Sequence, residues 1–357
     1  MSNILNIRNF FQKKIPLCGL DLGSSWAKAV KLSNKGKSPV LDSFARLPWS
    51  SGDLDGPAPQ GAKIKTLWQH LNLSDKVVAS SMAGHSVIVK RVYFDSRPPK
   101  ELEQNIVKEA GQYIPYDVND VYMDYQVMGD GKKKNSLEVM LVACKKKVVQ
   151  DLIDIMEHSD LSLGIVDVDA FALSNCFEFN YPELSEEPVY LLDIGSTQSI
   201  FVVFWKNQPV FFRELSFGGR SLTDIIAKQM DISRSEAEKI KIQGPPSQNQ
   251  SIEDLTELAG EIEENFKSWT DEIKRLIGFY QTSIPEAPQP DKIFLSGGGS
   301  LFKGINSIFT QELNVESQHM DPWKTLQKSS NDFDMKYLDS VKAHFAVATG
   351  LAIRGLS

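Results

Sequence analysis

The sequence contains few cysteines and histidines, and this scarcity excludes two kinds of site. Three cysteines occur among 357 residues and no two form a CxxC pair, so we expect reduced thiols in a cytosolic compartment rather than a disulfide framework. The five histidines form no HxxxH pair, so a zinc site is not expected. With a net charge of −7, the chain also lacks the basic surface of a nucleic-acid-binding protein, and we expect no nucleic-acid partner.

Long apolar runs are absent as well. No stretch of 18 apolar residues occurs, so no transmembrane span is predicted. Residues 1–16 lack the apolar region and cleavage site of a signal peptide, and we assign them to an N-terminal leader. Two interpretations of the leader stay open. It is either a frayed segment before the first strand or a short amphipathic helix that touches a membrane or a partner.

The patterns that are present alternate between strand and helix, which is typical of an α/β protein. A hydrophobic content of 41% in a chain of this length supports two or more lobes. Residues 84–165 have the pattern of a compact βαββα module inserted into a larger unit. Residues 252–280 carry the apolar stripe of one long helix.

One short motif occurs twice, about half the chain length apart. GLDLGSS at residues 19–25 resembles LLDIGST at residues 191–197, and each is predicted to join two strands. Glycine allows the backbone to approach an anion and tolerates positive φ, successive N–H groups bind phosphate, and the aspartate can hold Mg²⁺ through water. One copy alone is more typical of an ordinary hairpin turn, but two copies favour a site that grips a polyphosphate from both sides. The residues concerned are Asp21, Gly23, Ser24, Ser25, Asp193, Gly195, Ser196 and Thr197.

A third motif combines a strand, three glycines and a predicted helix from Leu301. Gly297, Gly298 and Gly299 would leave bare backbone on which a flat ring can lie. The motif is not a Walker A sequence, because no Gly-Lys-Ser/Thr follows the glycines.

In this order, the three motifs resemble the phosphate-1, phosphate-2 and adenosine motifs of the actin/Hsp70/sugar-kinase superfamily. Residues 167–173 and 346–352 resemble its two connecting helices. Within the superfamily, the sequence is similar to the PilM family of type IV pilus assembly proteins, which is related to the division protein FtsA. Residues 235–241 resemble the AExxK helix of the family, and residues 217–223 resemble the start of the helix before it. FtsA has a membrane-targeting tail after the second connecting helix, whereas only residues 354–357 follow here, and this favours PilM.

The resemblance implies an actin-like ATPase fold, with two RNase H-like lobes around a nucleotide cleft and a small α+β insertion in the first lobe. The core of the first lobe (1A) is expected over 17–83 and 166–188, with 341–357 packing back on it, and the inserted module (1C) over 84–165. The core of the second lobe (2A) is expected over 189–215 and 291–340, and a helical subdomain (2B) over 216–290.

The resemblance also implies ATP and Mg²⁺ as ligands, with Asp21 and Asp193 holding the metal through water. Glu238 and Lys241 would contact the ribose, although an i,i+3 surface pair is the structural alternative. Asp169 lies where many relatives have a glutamate that orients the attacking water. An N-cap for the following helix is an equally good interpretation of Asp169.

The function implied is a nucleotide-dependent protein of the pilus assembly platform, with at most slow ATPase activity. It would bind the cytoplasmic N-terminal peptide of PilN in a groove between 1A and 1C, contact other platform proteins, and associate with the inner membrane only peripherally through them. Self-association is a further expectation. Two alternatives stay open: an FtsA-like division or filament-forming protein, and a small-molecule kinase of the same superfamily.

Overall fold

The structure, a computed structural model, describes residues 18–35, 38–83, 86–244, 252–284, 287–329 and 333–356. The leader predicted over 1–16 lies outside these ranges. The strands are β1 (Cys18–Leu22), β2 (Trp26–Lys35), β3 (Ser38–Pro48), β4 (Val77–Met82), β5 (Val87–Asp95), β6 (Val121–Asp130), β7 (Ser136–Lys145), β8 (Ser162–Val168), β9 (Val189–Ile194), β10 (Ser199–Trp205), β11 (Gln208–Leu215), β12 (Lys292–Ser296), β13 (Glu316–His319) and β14 (Gln327–Lys328).

Ten α-helices accompany these strands in the described residues. They are α1 (Pro57–Leu71), α2 (Pro99–Glu109), α3 (Lys146–His158), α4 (Asp169–Asn180), α5 (Gly219–Met230), α6 (Arg234–Gln243), α7 (Ile252–Ser283), α8 (Ile305–Leu313), α9 (Met335–Val341) and α10 (Ala346–Ile353). Within the part of the chain that the structure describes, no helix is both long and apolar enough to cross a membrane.

The first sheet has six strands in the order β14-β3-β2-β1-β4-β8. Its central strand β1 pairs antiparallel with β2 and parallel with β4. Cys18 and Leu20 of β1 belong to a buried core that also contains residues of α1 and α3. Gly19 lies against α10, where an added Cβ would be 2.0 Å from the Ala348 carbonyl oxygen. Only glycine permits this approach of α10 to β1.

The second sheet has five strands in the order β11-β10-β9-β12-β13. β9 pairs antiparallel with β10 and parallel with β12. A separate core joins this sheet to α5, α7 and α8, and it is rich in aromatic side chains such as Phe266, Trp269 and Phe309. The sequence pattern does not predict the edge strand β11, since Pro209 and Arg213 interrupt its apolar residues.

The inserted module is smaller than the predicted range 84–165. Its antiparallel sheet, β5-β7-β6, packs with α2 around a core of its own. The expectation that α3 belongs to the module is wrong, because Val149, Leu152 and Met156 of α3 are buried in the core beneath the first sheet. β8 begins at Ser162 and pairs with β4, so it too belongs to the first sheet. The module is therefore a βαββ unit.

The second predicted boundary that differs is the end of the second lobe at residue 340. β14 pairs with β3 of the first sheet, not with the second sheet. Trp323, Leu326 and Leu338 are buried together with Leu32 and Leu41 of the first sheet. The chain therefore returns to the first lobe soon after β13, because these apolar side chains are buried there.

The two connecting helices predicted around residues 167–173 and 346–352 are α4 and α10, and they cross in close contact. An added Cβ on Gly350 of α10 would lie 1.8 Å from the carbonyl oxygen of Ala172 in α4. The small residues of α10 thus allow its backbone to approach that of α4.

Candidate functional site

The two repeated turns meet in the structure. The first follows β1 and the second follows β9, in different sheets. The Thr197 hydroxyl donates a hydrogen bond to the Ser24 hydroxyl across 3.0 Å. The predicted convergence of the turns is therefore present, and the two hydroxyls mark the point where the lobes face each other.

Glycine serves these turns in a different way from the one that the sequence suggested. Neither Gly23 nor Gly195 has the left-handed φ expected for a glycine turn. An added Cβ on Gly195 would lie 2.6 Å from the Gln198 carbonyl oxygen, and one on Gly23 would lie 3.1 Å from Lys28 Nζ. The backbone at Gly195 therefore leaves no room for a side chain, whereas at Gly23 a side chain would be tightly packed against Lys28.

Trp49 fixes the first turn from outside the motif. Its indole Nε1–H donates to the Gly23 carbonyl at 2.7 Å, and its backbone N–H donates to the Ser25 carbonyl at 3.0 Å. No motif in the sequence identifies Trp49, which follows the end of β3. Its role depends on the pairing of β2 with β3, which brings Trp49 beside the turn.

Lys28 is a site residue that the motif analysis missed. It lies opposite Asp21 in the β1–β2 pair, and its Nζ is 2.5 Å from Asp21 Oδ2. Burial alone would lower the pKa of Lys28, but Asp21, with Asp193 and Asp169 further away, outweighs burial and raises it. Lys28 is therefore a firmly charged cation facing both turn aspartates. The sequence feature that could have identified Lys28 is its position as a lysine within the otherwise apolar start of β2.

The pKa of Asp193 is also affected by the charges of Lys28 and Asp21. Burial raises its pKa to about 6, while Lys28 and a 2.7 Å hydrogen bond from the Ser296 hydroxyl act in the opposite direction. Asp21 raises the pKa of Asp193 further by repulsion. Asp21 of the first turn is thus close enough to Asp193 of the second turn to oppose the ionisation of Asp193.

Asp169 faces the same group of charges. It is the first residue of α4, whose N-cap is Val168 without a side-chain hydrogen bond, so the N-cap interpretation of Asp169 is wrong. Burial raises its pKa to about 7, with further contributions from Asp21 and Asp193, and from Glu214 of β11. A carboxyl group with a pKa near neutrality beside two turn aspartates is placed to accept a proton, and its catalytic role stays a prediction.

The donor set fits a hydrated magnesium ion. Burial, with added repulsion from Asp21, raises the pKa of both Asp169 and Asp193, and a divalent cation would relieve that repulsion. Asp21 is already engaged by Lys28, which favours contact with the metal through water over direct coordination. In the described ranges, no group of three or more His, Cys, Asp or Glu side chains is arranged to hold a metal ion.

The glycine motif packs against the second turn. Gly297 has φ +80°, and an added Cβ would lie 2.3 Å from the Ile194 carbonyl oxygen. A Cβ on Gly299 would lie 2.4 Å from Ile194 Cγ2. The helix predicted over Leu301–Phe309 begins later than expected, because Gly298–Leu301 forms a 3₁₀ turn and α8 starts at Ile305.

Glu238 and Lys241 lie beside the glycine motif but differ in exposure. The Lys241 ammonium is buried and donates to the Gly219 carbonyl, to Thr223 and to Glu238, at 3.2, 3.0 and 2.7 Å. Glu238 leaves 45% of its side chain exposed. An added Cβ on Gly219 would lie 2.9 Å from Gly299 Cα. Lys241 therefore holds Glu238 in place, and Glu238 is the member of the pair that can reach a ligand.

The sequence and the structure both match known proteins over nearly the whole chain. The family model described as "Type IV pilus assembly protein PilM" matches residues 19–356. A solved structure of a "PilM-PilN type IV pilus biogenesis complex" is 25% identical, with a TM-score of 0.83 over 97% of this chain and 100% of that chain.

Two more distant structures share the fold. The ethanolamine utilization protein EutJ from Carboxydothermus hydrogenoformans is 14% identical, with a TM-score of 0.54 over 99% of both chains. MreB 5 of Spiroplasma citri, solved with AMPPNP bound, is 13% identical, with a TM-score of 0.51 over 96% of both chains. The predicted α/β, actin-like, two-lobed fold is thereby confirmed.

Proposed function

The chain belongs to the PilM family of type IV pilus assembly proteins, and we propose that it binds Mg-ATP between its lobes and couples the nucleotide state to assembly at the inner membrane. It acts in the cytoplasm, reaches the membrane only through partners, and hydrolyses ATP slowly if at all.

The single observation that carries nucleotide binding is the contact between the turns, the 3.0 Å hydrogen bond from Thr197 to Ser24. Hydroxyls from two lobes that already touch are positioned to bind one polyphosphate between them. Lys28 stands directly behind the first turn, so it supplies a cation to the same anion.

The predicted residues have distinct parts in the proposal, and Lys241 acts through Glu238, to which it donates a 2.7 Å hydrogen bond. The turn residues Ser24, Ser25, Ser196 and Thr197 donate to phosphate oxygens, as does the backbone N–H of Gly23, whereas the Gly195 N–H donates to the Gln198 carbonyl at 3.0 Å and shapes the second turn. Asp21 and Asp193 hold the waters of Mg²⁺. Gly297, Gly298 and Gly299 support the base, and Glu238 accepts from the ribose. Magnesium supplies charge neutralisation for the phosphates when bound. Asp169 accepts a proton from water at its carboxylate.

The proposed partner is the cytoplasmic N-terminal peptide of a PilN protein, in a groove between the first sheet and the inserted module. The similarity of the chain to the PilM-PilN complex supports a PilN partner. Tyr116 and Val118 of the module are 42% and 37% exposed, and Lys145 lies 4.1 Å from the Tyr116 ring centroid. An exposed apolar surface beside a cation suits an extended peptide with apolar and acidic side chains.

Coupling of the peptide to the nucleotide is supported by a contact between the module and the second lobe. Arg91 of β5 donates to the Pro209 carbonyl of β11 at 3.0 Å and pairs with Glu138 of β7 at 3.2 Å. The same strand β11 contacts α4, where Phe212 packs edge-to-face on Phe171 with ring centroids 5.5 Å apart. Movement of the second lobe on nucleotide binding would therefore change the environment of the module.

Calorimetric titration with Mg-ATP, followed by titration with the tail peptide, tests the proposal. Wild-type protein should bind Mg-ATP, and Asp21→Ala and Asp193→Ala should each weaken binding. Asp160→Asn, which removes an exposed carboxylate that pairs with Lys65, is the control and should bind normally. Unchanged affinity in both turn variants would refute the site. Rapid phosphoryl transfer to a sugar or acid would favour the kinase alternative, and nucleotide-dependent sedimentation would favour a filament-forming protein.

A further inference from the structure

His344 connects the glycine motif to the first lobe, although no sequence motif contains it. It lies in the 3₁₀ turn Lys342–Phe345 immediately before α10, and only 7% of it is exposed. The carbonyl of the preceding residue, Ala343, accepts the Gly297 N–H at 2.7 Å. An added Cβ on Gly298 would lie 2.7 Å from His344 Cε1. The imidazole therefore packs directly on the backbone of the glycine motif.

On its other side, His344 contacts the first sheet. Arg46 Nη1 of β3 lies 2.8 Å from His344 Nε2, and the Arg46 guanidinium stacks on the Trp26 ring with Cζ 4.5 Å from the centroid. Arg46 lies opposite Lys28 in the β2–β3 pair, and Lys28 lies opposite Asp21 in the β1–β2 pair. Opposed residues of antiparallel strands share a face of the sheet, so Asp21, Lys28 and Arg46 form a row of charged side chains behind the first turn, and His344 contacts the end of that row.

The protonation state of His344 follows from this hydrogen bond. Arginine has only donors, so Nε2 must accept, and the imidazole is neutral with its proton on Nδ1. Burial lowers the pKa of His344 well below its usual value, and the cations Arg46, Lys28 and Lys241 lower it further. A protonated ring would lose the acceptor and face the guanidinium as a second cation.

We propose that neutral His344 is a positioning residue of the cleft, which sets the spacing between the first phosphate turn and the glycine motif by joining Arg46 to the Gly297–Gly298 backbone. The inference rests on the proposed nucleotide site. A ligand that must contact both the phosphate turns and the glycine motif depends on the distance between them, whereas a ligand that contacts only the phosphate turns does not.

Two ligands and four variants test this inference by calorimetry. Mg-ATP reports both ends of the site, and Mg-tripolyphosphate reports the phosphate turns alone. His344→Leu and Arg46→Met should each weaken the binding of Mg-ATP about tenfold or more. They should change the affinity for Mg-tripolyphosphate less than about twofold. His344→Gln, whose side-chain oxygen can accept from Arg46, should restore most of the Mg-ATP affinity. The double variant His344→Leu/Arg46→Met should bind Mg-ATP no more weakly than either single variant, because both changes break one contact.

Three outcomes would each overturn the inference. They are equal losses of affinity for the two ligands, additive losses of Mg-ATP affinity in the double variant, and unchanged Mg-ATP affinity in both single variants. If His344→Leu does not fold, Arg46→Met still decides the matter, because it removes the donor and leaves the buried ring in place. Failure of the wild-type protein to bind Mg-ATP would instead overturn the proposed function itself, and is seen before any variant is compared.

Discussion

Replacing Asp169 with asparagine should stabilise the protein at alkaline pH. The folded structure places the Asp169 carboxyl among Asp21, Asp193 and Glu214, and burial with this repulsion raises its pKa from 3.8 to about 7. A raised carboxyl pKa means that the folded state holds a proton that the unfolded state has lost. The stability cost is therefore absent below about pH 4, grows between pH 4 and 7, and is constant above pH 7.

The size of the effect follows from the shift. One pKa unit corresponds to about 1.4 kcal/mol, so a shift to about 7 sets a ceiling of about 4 kcal/mol on the cost of ionised Asp169. Asp169 is partly exposed, and water around it screens part of the repulsion. We therefore expect Asp169→Asn to gain about 1–2 kcal/mol at pH 8 and progressively less towards pH 4.5.

Urea unfolding followed by tryptophan fluorescence at pH 4.5, 6 and 8 measures this difference. Asp160→Asn is the matched control: Asp160 is exposed and has its pKa lowered by a hydrogen bond from Lys65, so its loss should bring no gain at pH 8. An Asp169→Asn variant no more stable than wild type at pH 8, or with a difference independent of pH, would refute the electrostatic argument.

Three further predictions concern the cleft. Lys28→Met should weaken Mg-ATP binding about 10- to 100-fold in calorimetry, because a partly buried charge-assisted hydrogen bond is lost and Asp21 is left unpaired. A change in affinity below twofold would exclude Lys28 from the site. The double variant Ser24→Cys/Thr197→Cys should form a disulfide under oxidation that blocks Mg-ATP binding, and reductant should restore the binding. The native cysteines are buried and should not compete. Failure to cross-link would contradict the observed contact. Arg91→Gln should leave separate binding of Mg-ATP and of the tail peptide within about twofold but reduce the factor by which each changes the other's affinity; an unaltered factor would remove Arg91 from the coupling.

The sequence allowed the repeated turns and the glycine motif to be located, but not the contacts that depend on distant strands. The repeated turns and the glycine motif were recognisable because each needs a short, fixed pattern of residues. Lys28, Trp49 and Arg46 carry no such pattern, and their positions follow from the register of β1, β2 and β3. His344 contacts Arg46 from a segment almost 300 residues away, and only the folded core brings the two together.

The boundaries that differed have a common physical cause. Helix α3 follows the module directly in the sequence, but its apolar face is buried against the first-lobe core. The segment around Trp323 follows the second sheet, yet its aromatic side chain packs with Phe44 and Phe345 and its indole N–H donates to Thr349 at 2.9 Å. Periodicity identifies an amphipathic element, while the partner that buries its apolar face is decided by tertiary packing.

A crystal structure with Mg-AMPPNP is the most direct test of the claim that the two turns grip one ligand. We predict that the Ser24 and Thr197 hydroxyls exchange their mutual hydrogen bond for bonds to the phosphates of a single nucleotide, and that Lys28 contacts the same phosphates. A nucleotide bound elsewhere, or one that contacts only one turn while Thr197 still donates to Ser24, would contradict it.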